Sequence, residues 1–189
     1  MMLKDEVNKA LKVIQDGGII LYPTDTIWGI GCDATNTEAV KKIFALKQRE
    51  ESKSMIILID TDNKLQSYIT EVPEIAYQLI EFAENPLTLV MPGARNISPA
   101  LIAEDGSVGI RVTSNPFCQQ LIQRLRKPLV STSANISGQA SPEYFSKIHQ
   151  DIIDGVDYVV DIDQHSTEIK KPSTIMRLDP SGSFEFIRR

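Results

Sequence analysis

Between Ile19 and Ile59 the chain reads as a strand, a helix and a returning strand, and that unit constrains everything around it. Ile19 to Tyr22 is a short apolar run closed by Pro23, which has no amide proton to give a sheet ladder. Thr24, Asp25 and Thr26 set three small polar side chains at the end of that strand, where open α/β sheets hold their ligands. Gly29 and Gly31 follow, suited to a tight turn or to the close approach of a ligand. After Asp33, the residues Ala39, Val40, Ile43, Phe44 and Leu46 recur at helical spacing, and this helix leads to Lys47 and Arg49. Met55 to Ile59 is the second strand. Hydroxyls at a strand end and two cations beyond a helix suit an anion. Taken alone, Lys47 and Arg49 also fit a solvated, basic helix end.

The remaining elements alternate in the same way. Asp5 to Gln15 is an amphipathic helix, with Val7, Ala10, Leu11 and Ile14 on one face and Gly17-Gly18 as its stop. Leu65 to Ile69 reads as a short helix, and Pro73 opens another with Ile75, Leu79, Ile80 and Phe82 inward. Leu87 to Met91 and Val108 to Val112 are strands, Phe117 to Arg126 a helix, and Pro128 to Val130 a strand. A helix over Tyr144 to Ile153 precedes strands at Tyr158 to Asp161, Ser173 to Leu178 and Phe184 to Ile187. Several connections are too short for crossovers, so the expected class is α/β with a mixed sheet in one domain, 1–189.

Charge and composition exclude several functions. A net charge of −5 argues against coating nucleic acid by charge alone, although a local basic groove stays open. Cys32 and Cys118 lack metal-ligand spacing and read as reduced core residues; with only His149 and His165 besides, no metal site is expected. Lys4, Asp5, Glu6, Lys9 and Lys12 rule out a signal peptide, and no apolar run is long enough to span a bilayer. The expected location is the cytoplasm, away from membranes.

A second concentration of chemistry runs from Ser131 to Gly138, where four hydroxyls and one amide follow a buried strand. Such residues either satisfy their own turn or cradle phosphate oxygens. The segment lacks the glycine flanks of a nucleophile elbow, and the chain has no P-loop.

Tyr22-Pro23-Thr24-Asp25-Thr26, Gly29-Ile30-Gly31, Lys47-x-Arg49 and Ser133-Ala134-Asn135, in this order, resemble the YrdC-type threonylcarbamoyl-AMP synthases. The likeness extends through Pro86 to Val90, Gly109 to Val112 and Ser173-Thr174. It implies a single YrdC-like domain, a twisted, mixed, open sheet with flanking helices around a large cleft. It also implies a nucleotidyltransferase that joins L-threonine, bicarbonate (or carbon dioxide) and ATP into threonylcarbamoyl-AMP, releasing pyrophosphate. A separate tRNA threonylcarbamoyl-transferase complex would then modify an adenosine in tRNA to threonylcarbamoyladenosine. Mg²⁺ would arrive bound to ATP. The reaction needs alignment and charge neutralisation more than a protein nucleophile.

Carried over by resemblance, Lys47 and Arg49 are catalytic and bind the triphosphate, joined at the nucleotide by Lys53, Ser133, Asn135, Ser141 and Arg188. Thr26, Thr88, Arg111, Ser131 and Ser173 are the threonine contacts, with Arg111 receiving the carboxylate. Arg111 also reads as an ordinary strand-face salt bridge, Thr88 as a strand-face hydroxyl, Arg188 as a frayed tail, and Trp28 as core packing. The chain departs from the family pattern at Glu50, at Lys53-Ser54 and at Leu58. Lys53 stands where an asparagine is usual. Leu58 replaces a histidine that commonly contacts threonine, which redraws the amino-acid pocket. Two other readings carry different chemistry. One is a YrdC-like protein binding double-stranded RNA or tRNA without this activity. The other is a carbamoyl ligase of hydrogenase maturation, for which the accompanying cysteine-rich regions are missing.

Overall fold

A computed structural model describes residues 3–48 and 55–189. Helix α1, Leu3–Gln15, places acidic residues in its first turn and Lys12 in its last, in accord with the helix dipole, and buries Val7, Ala10 and Ile14. Helix α2, Thr37–Leu46, starts where the Asn36 side chain accepts from the Ala39 amide at 3.1 Å. The short helices α3, Leu65–Tyr68, and α4, Ile75–Glu81, are followed by α5, Pro116–Leu125, and α6, Gln150–Gly155. Asn115 caps α5 by accepting from the amides of Phe117 and Cys118, with Pro116 in the first turn.

Nine strands form one open, mixed sheet among the described residues. They are β1, Ile20–Tyr22; β2, Gly29–Gly31; β3, Ile56–Ile59; β4, Leu87–Met91; β5, Val108–Val112; β6, Leu129–Ser133; β7, Tyr158–Val159; β8, Thr174–Leu178; and β9, Phe184–Arg188. Their order is β7-β1-β2-β6-β3-β5-β4-β8-β9. The expected α/β class with a mixed, open sheet is borne out. Two apolar clusters cover its faces. Leu21, Ile30, Ile57, Ile110 and the α2 residues Val40, Ile43 and Phe44 belong to one. Ile20, Tyr22, Leu58 and Leu129 meet α1 and α5 in the other. Cys32 and Cys118 are free and buried, as expected. Among the described residues, no helix is long and apolar enough to cross a membrane.

Several expectations need correction. Gly29-Ile30-Gly31 is strand β2, not a turn: it pairs antiparallel with β1 on one side and β6 on the other. The first and second strands of the opening unit are therefore separated by β2 and β6. Gly31 explains why the strand carries no side chain there. A Cβ would lie 2.2 Å from the Val130 carbonyl oxygen and 2.7 Å from Tyr22 Cε1. Phe82 does not face inward; it lies past the end of α4 and is 77% exposed. The helix expected over Tyr144 to Ile153 is broken into a 3₁₀ turn, Phe145–Lys147, and α6, because His149 caps α6 through the Asp151 amide. Strand β7 stops at Val159, and β6 continues through Ser133 rather than ending at Val130.

Candidate functional site

The loop after β1 and residues of β2, β3, β5, β6, β8 and β9 converge on a cavity of about 240 Å³. Thr26, Arg111, Ser131, Ser133, Ser141, Ser173 and Arg188 line it, so seven residues singled out in sequence meet at one place. Trp28, Met55, Ile56 and Ile175 supply an apolar wall. Reading the sequence alone missed Met55, Ile56 and Ile175, since a strand residue that walls a cavity looks the same as one in the core. Trp28 does pack in the core as well, tilted against Phe145 with ring centroids 4.9 Å apart.

After Pro23 the chain makes a hydroxyl-stabilised turn. Thr24 Oγ1 accepts from the Thr26 amide at 2.9 Å and donates to the Ile27 carbonyl at 2.7 Å. Its single proton is thus spent, and the 3.0 Å contact between the two hydroxyls must use the proton of Thr26. Thr26 is left with acceptor lone pairs at the cavity. Gly29 keeps the opposite wall open, since a Cβ there would lie 3.3 Å from Ser131 Oγ.

Arg111 rises from β5, in register with Thr88 on β4 and Leu58 on β3. Its Nη2 lies 3.1 Å from Asp25 Oδ1, and the two side chains are 4% and 6% exposed. Arg111 Nε is buried without a hydrogen-bond partner among the described residues. The guanidinium thus fronts the cavity with donor capacity unspent, while Asp25 fronts a second cavity of about 320 Å³ behind it. Arg188, on β9, donates from Nε and Nη2 to the Ser173 carbonyl at 3.0 and 2.8 Å. Burial, and then the like charge of Arg111, push the Arg188 guanidinium below its usual range. Two cations sharing a small cavity favour an anion between them. Ser173 Oγ in turn meets Thr88 Oγ1 at 2.8 Å, so the fully buried Thr88 touches the site through Ser173 rather than lining it.

Lys47 is placed differently from a solvated helix end. Its side chain is fully buried, and Nζ donates to the Ser133 carbonyl and, at 2.7 Å, to the Asn135 carbonyl. The Lys47 carbonyl accepts from the Ser137 amide at 2.8 Å. Lys47 thereby ties the end of α2 to the loop after β6, joining the two polar concentrations of the sequence. Asn135 turns its amide nitrogen to the Ile136 and Gln139 carbonyls at 2.9 and 2.8 Å, and its Oδ1 is buried without a hydrogen-bond partner among the described residues. Neither Lys47 nor Asn135 lines the cavity wall. Arg49 and Lys53, like Glu50 and Ser54, lie outside the described residues. Leu58 is fully buried in the cluster under α1 and α5.

Among the described residues the cavity wall offers hydroxyls and guanidiniums but no histidine, cysteine or carboxylate, and no cluster suited to hold a metal ion occurs. Hydroxyls and guanidiniums on such a wall suit the binding and orientation of an anion. The Sua5–YciO–YrdC family model, described as "Telomere recombination", matches residues 12–189. A threonylcarbamoyl-AMP synthase of Pseudoalteromonas translucida is 34% identical over 155 residues, covering 80% of this chain and 83% of that protein. A putative threonylcarbamoyl-AMP synthase of Methanocaldococcus jannaschii is 36% identical over 169 residues, covering 89% and 78%. The crystal structure of P. abyssi Sua5 complexed with L-threonine superposes with a TM-score of 0.80 at 28% identity and covers 91% of this chain. This chain spans about half of that one, 50% of its length.

Proposed function

This chain belongs to the Sua5–YciO–YrdC family, and we propose that it is an L-threonylcarbamoyladenylate synthase, a nucleotidyltransferase acting on L-threonine, bicarbonate or carbon dioxide, and ATP. The observation that carries this reading is the unspent, buried guanidinium of Arg111 among cavity hydroxyls, in a chain whose curated relatives bear that name. Arg111 receives the threonine carboxylate, since its planar fork matches a carboxylate edge. Thr26 accepts a hydrogen bond from the amino acid, and Ser131 and Ser173 close the polar side.

The amine, once neutral, attacks carbon dioxide and loses a proton, giving a carbamate. A carbamate oxygen then attacks the α-phosphorus of ATP, the bond from that phosphorus to the β-bridging oxygen breaks, and pyrophosphate leaves. No protein nucleophile is needed; the work lies in alignment and in offsetting charge. Arg188 and the hydroxyls of Ser133 and Ser141 meet the phosphates, and Arg49 and Lys53 add charge from the segment after α2. Lys47 shapes the Ser133–Asn135 loop that holds the nucleotide. A cavity of about 240 Å³ falls below the roughly 300–1,000 Å³ usual for ligand pockets. It therefore suits the amino acid and the reacting groups, with the rest of the nucleotide at its open mouth. Hydroxyls and arginines fit phosphates rather than a bare dication, so Mg²⁺ comes on ATP and, when bound, neutralises phosphate charge. The product is a reactive mixed anhydride, consumed by a transferase complex that modifies tRNA.

Pyrophosphate release tests this reading, with threonine and bicarbonate supplied separately and together, and Arg111→Met alongside. Release that needs both, raised KM for threonine in Arg111→Met, and unchanged fold support it. Release indifferent to threonine overturns it.

A further inference from the structure

Among the described residues, four of the five exposed large apolar side chains lie on or beside α4 and β9: Phe82, Phe184, Phe186 and Ile187, at 77%, 49%, 45% and 53% exposure. Two of them, Phe82 and Phe184, line a groove of about 530 Å³ between α4 and the strands β4, β8 and β9. Ile75, Leu79, Leu87 and Met176 form its floor and inner wall. The Asp179-to-Ser183 turn closes one end, with Gly182 against Ile75. A contiguous apolar groove of this kind marks a docking surface rather than scattered surface apolarity.

Its charge says what docks there. From Leu65 to Ala94 the chain contains Glu71, Glu74, Glu81 and Glu84 and no lysine, arginine or histidine. All four glutamates are exposed, and Glu84 lines the groove itself. Of the cations on β8, β9 and the tail, Arg177 pairs with Asp105 at 2.7 Å, Arg188 bonds Ser173, and Arg189 lies over the ring of Phe186, which does not line the groove. We propose that this groove docks a basic amphipathic helix of a partner protein, its apolar anchors on Phe82, Leu79 and Phe184 and its lysines or arginines against Glu81 and Glu84. Helices dock in grooves of this kind through anchors three and four residues apart. A second copy of the chain fits poorly, because an isologous contact would set this acidic rim against itself. The groove also backs onto the site. Thr174 and Met176 face it, while Ile175 between them lines the cavity, so a docked helix rests on the strand that walls the site. The docking itself does not depend on the synthase reading.

The probes are two labelled synthetic helices with leucines at this spacing, one with lysines elsewhere and one with glutamates, titrated by fluorescence anisotropy at physiological salt. The lysine helix binds the unmodified protein, and the glutamate helix does not. Phe82→Ser weakens binding about tenfold, the loss of one moderate anchor. Glu81→Lys with Glu84→Lys weakens it by at least about tenfold and admits the glutamate helix. Glu38→Lys with Glu168→Lys changes the net charge equally, away from the groove, and leaves binding intact. Equal binding of both helices, or equal losses in both double variants, overturns the proposal. So does a dimer in sedimentation velocity that Phe82→Ser dissociates, which would make the occupant a second copy.

Discussion

Replacing Asp25 by alanine should be the most informative single change. It strips Arg111 of a carboxylate 3.1 Å away, in a place where both side chains are about nineteen-twentieths buried, at 4% and 6% exposure. Leaving one member of a buried pair unmatched costs about 3–5 kcal/mol. Arg111 fronts a cavity that admits water, so the lower figure, about 3 kcal/mol, is appropriate. For a domain of this size each kcal/mol shifts Tm by about 2–4 °C, giving a fall of about 6–12 °C. A double-mutant cycle with Arg111→Met isolates the pair: removing both groups should cost at least about 2 kcal/mol less than the sum of the single changes. If the cavity takes threonine as proposed, the same cycle should appear in threonine KM, because Asp25 lies against the guanidinium that lines the cavity. Thermal and urea unfolding of the four proteins supply the stabilities. Single changes that add within about 0.5 kcal/mol would refute the reasoning, since independent groups behave that way.

Gly31→Ala should destabilise by about 2–3 kcal/mol through overpacking, because its Cβ would meet the Val130 carbonyl oxygen at 2.2 Å; urea unfolding measures this. Burial pushes the Cys32 and Cys118 thiols up, with Asp33 and Asp25 adding to it, so a thiol reagent should modify neither in the native protein and both in denaturant. The hydrogen bond from Ser107, followed by that from Arg177, lowers the Asp105 carboxyl to about 2. A depressed carboxylate contributes stability above its unfolded range and loses it as pH falls toward about 2; a carboxyl NMR titration should show that midpoint, and Arg177→Ala should raise it. Lys47→Met should speed amide exchange in the 134–139 loop and raise KM for ATP more than for threonine; unchanged exchange would remove Lys47 as the tie of that loop.

Much of the site was visible in the sequence because its residues break local rules: hydroxyls crowd a strand end at Thr24 and Thr26, and again from Ser131 to Ser133. The local alternative is also realised in part, since Thr24 spends its hydroxyl on its own turn. What was hidden depended on distance in space. Asp25 and Arg111 are far apart in sequence, and only the fold shows that the strand-face salt bridge of Arg111 is made with Asp25 while the same side chain lines the cavity. Lys47 was conspicuous as a cation, but only the fold shows it turned into backbone carbonyls. For Arg188 a frayed tail and a place at the site both fit the sequence; β9 pairs with β8 and carries it to Ser173 at the cavity.

The fold shows the same limits. Alternating apolar residues marked β4 and β5 plainly, whereas β2 carries glycine at two of its three positions and gives no periodic signal. Its evidence lies in the partners: Tyr22 and Val130 approach so closely that only glycine fits at Gly31. Phe82 continued the apolar pattern of α4 and so looked buried. Nothing among the described residues covers it, which is the basis for the docking groove.

The most direct test of the synthase is to supply ¹³C-bicarbonate with ATP, Mg²⁺ and L-threonine and to identify the adenylate by mass spectrometry. Threonylcarbamoyl-AMP heavier by one carbon label, absent without threonine and sharply reduced in Arg111→Met, is the predicted result. ATP consumed with no labelled adenylate formed would contradict it.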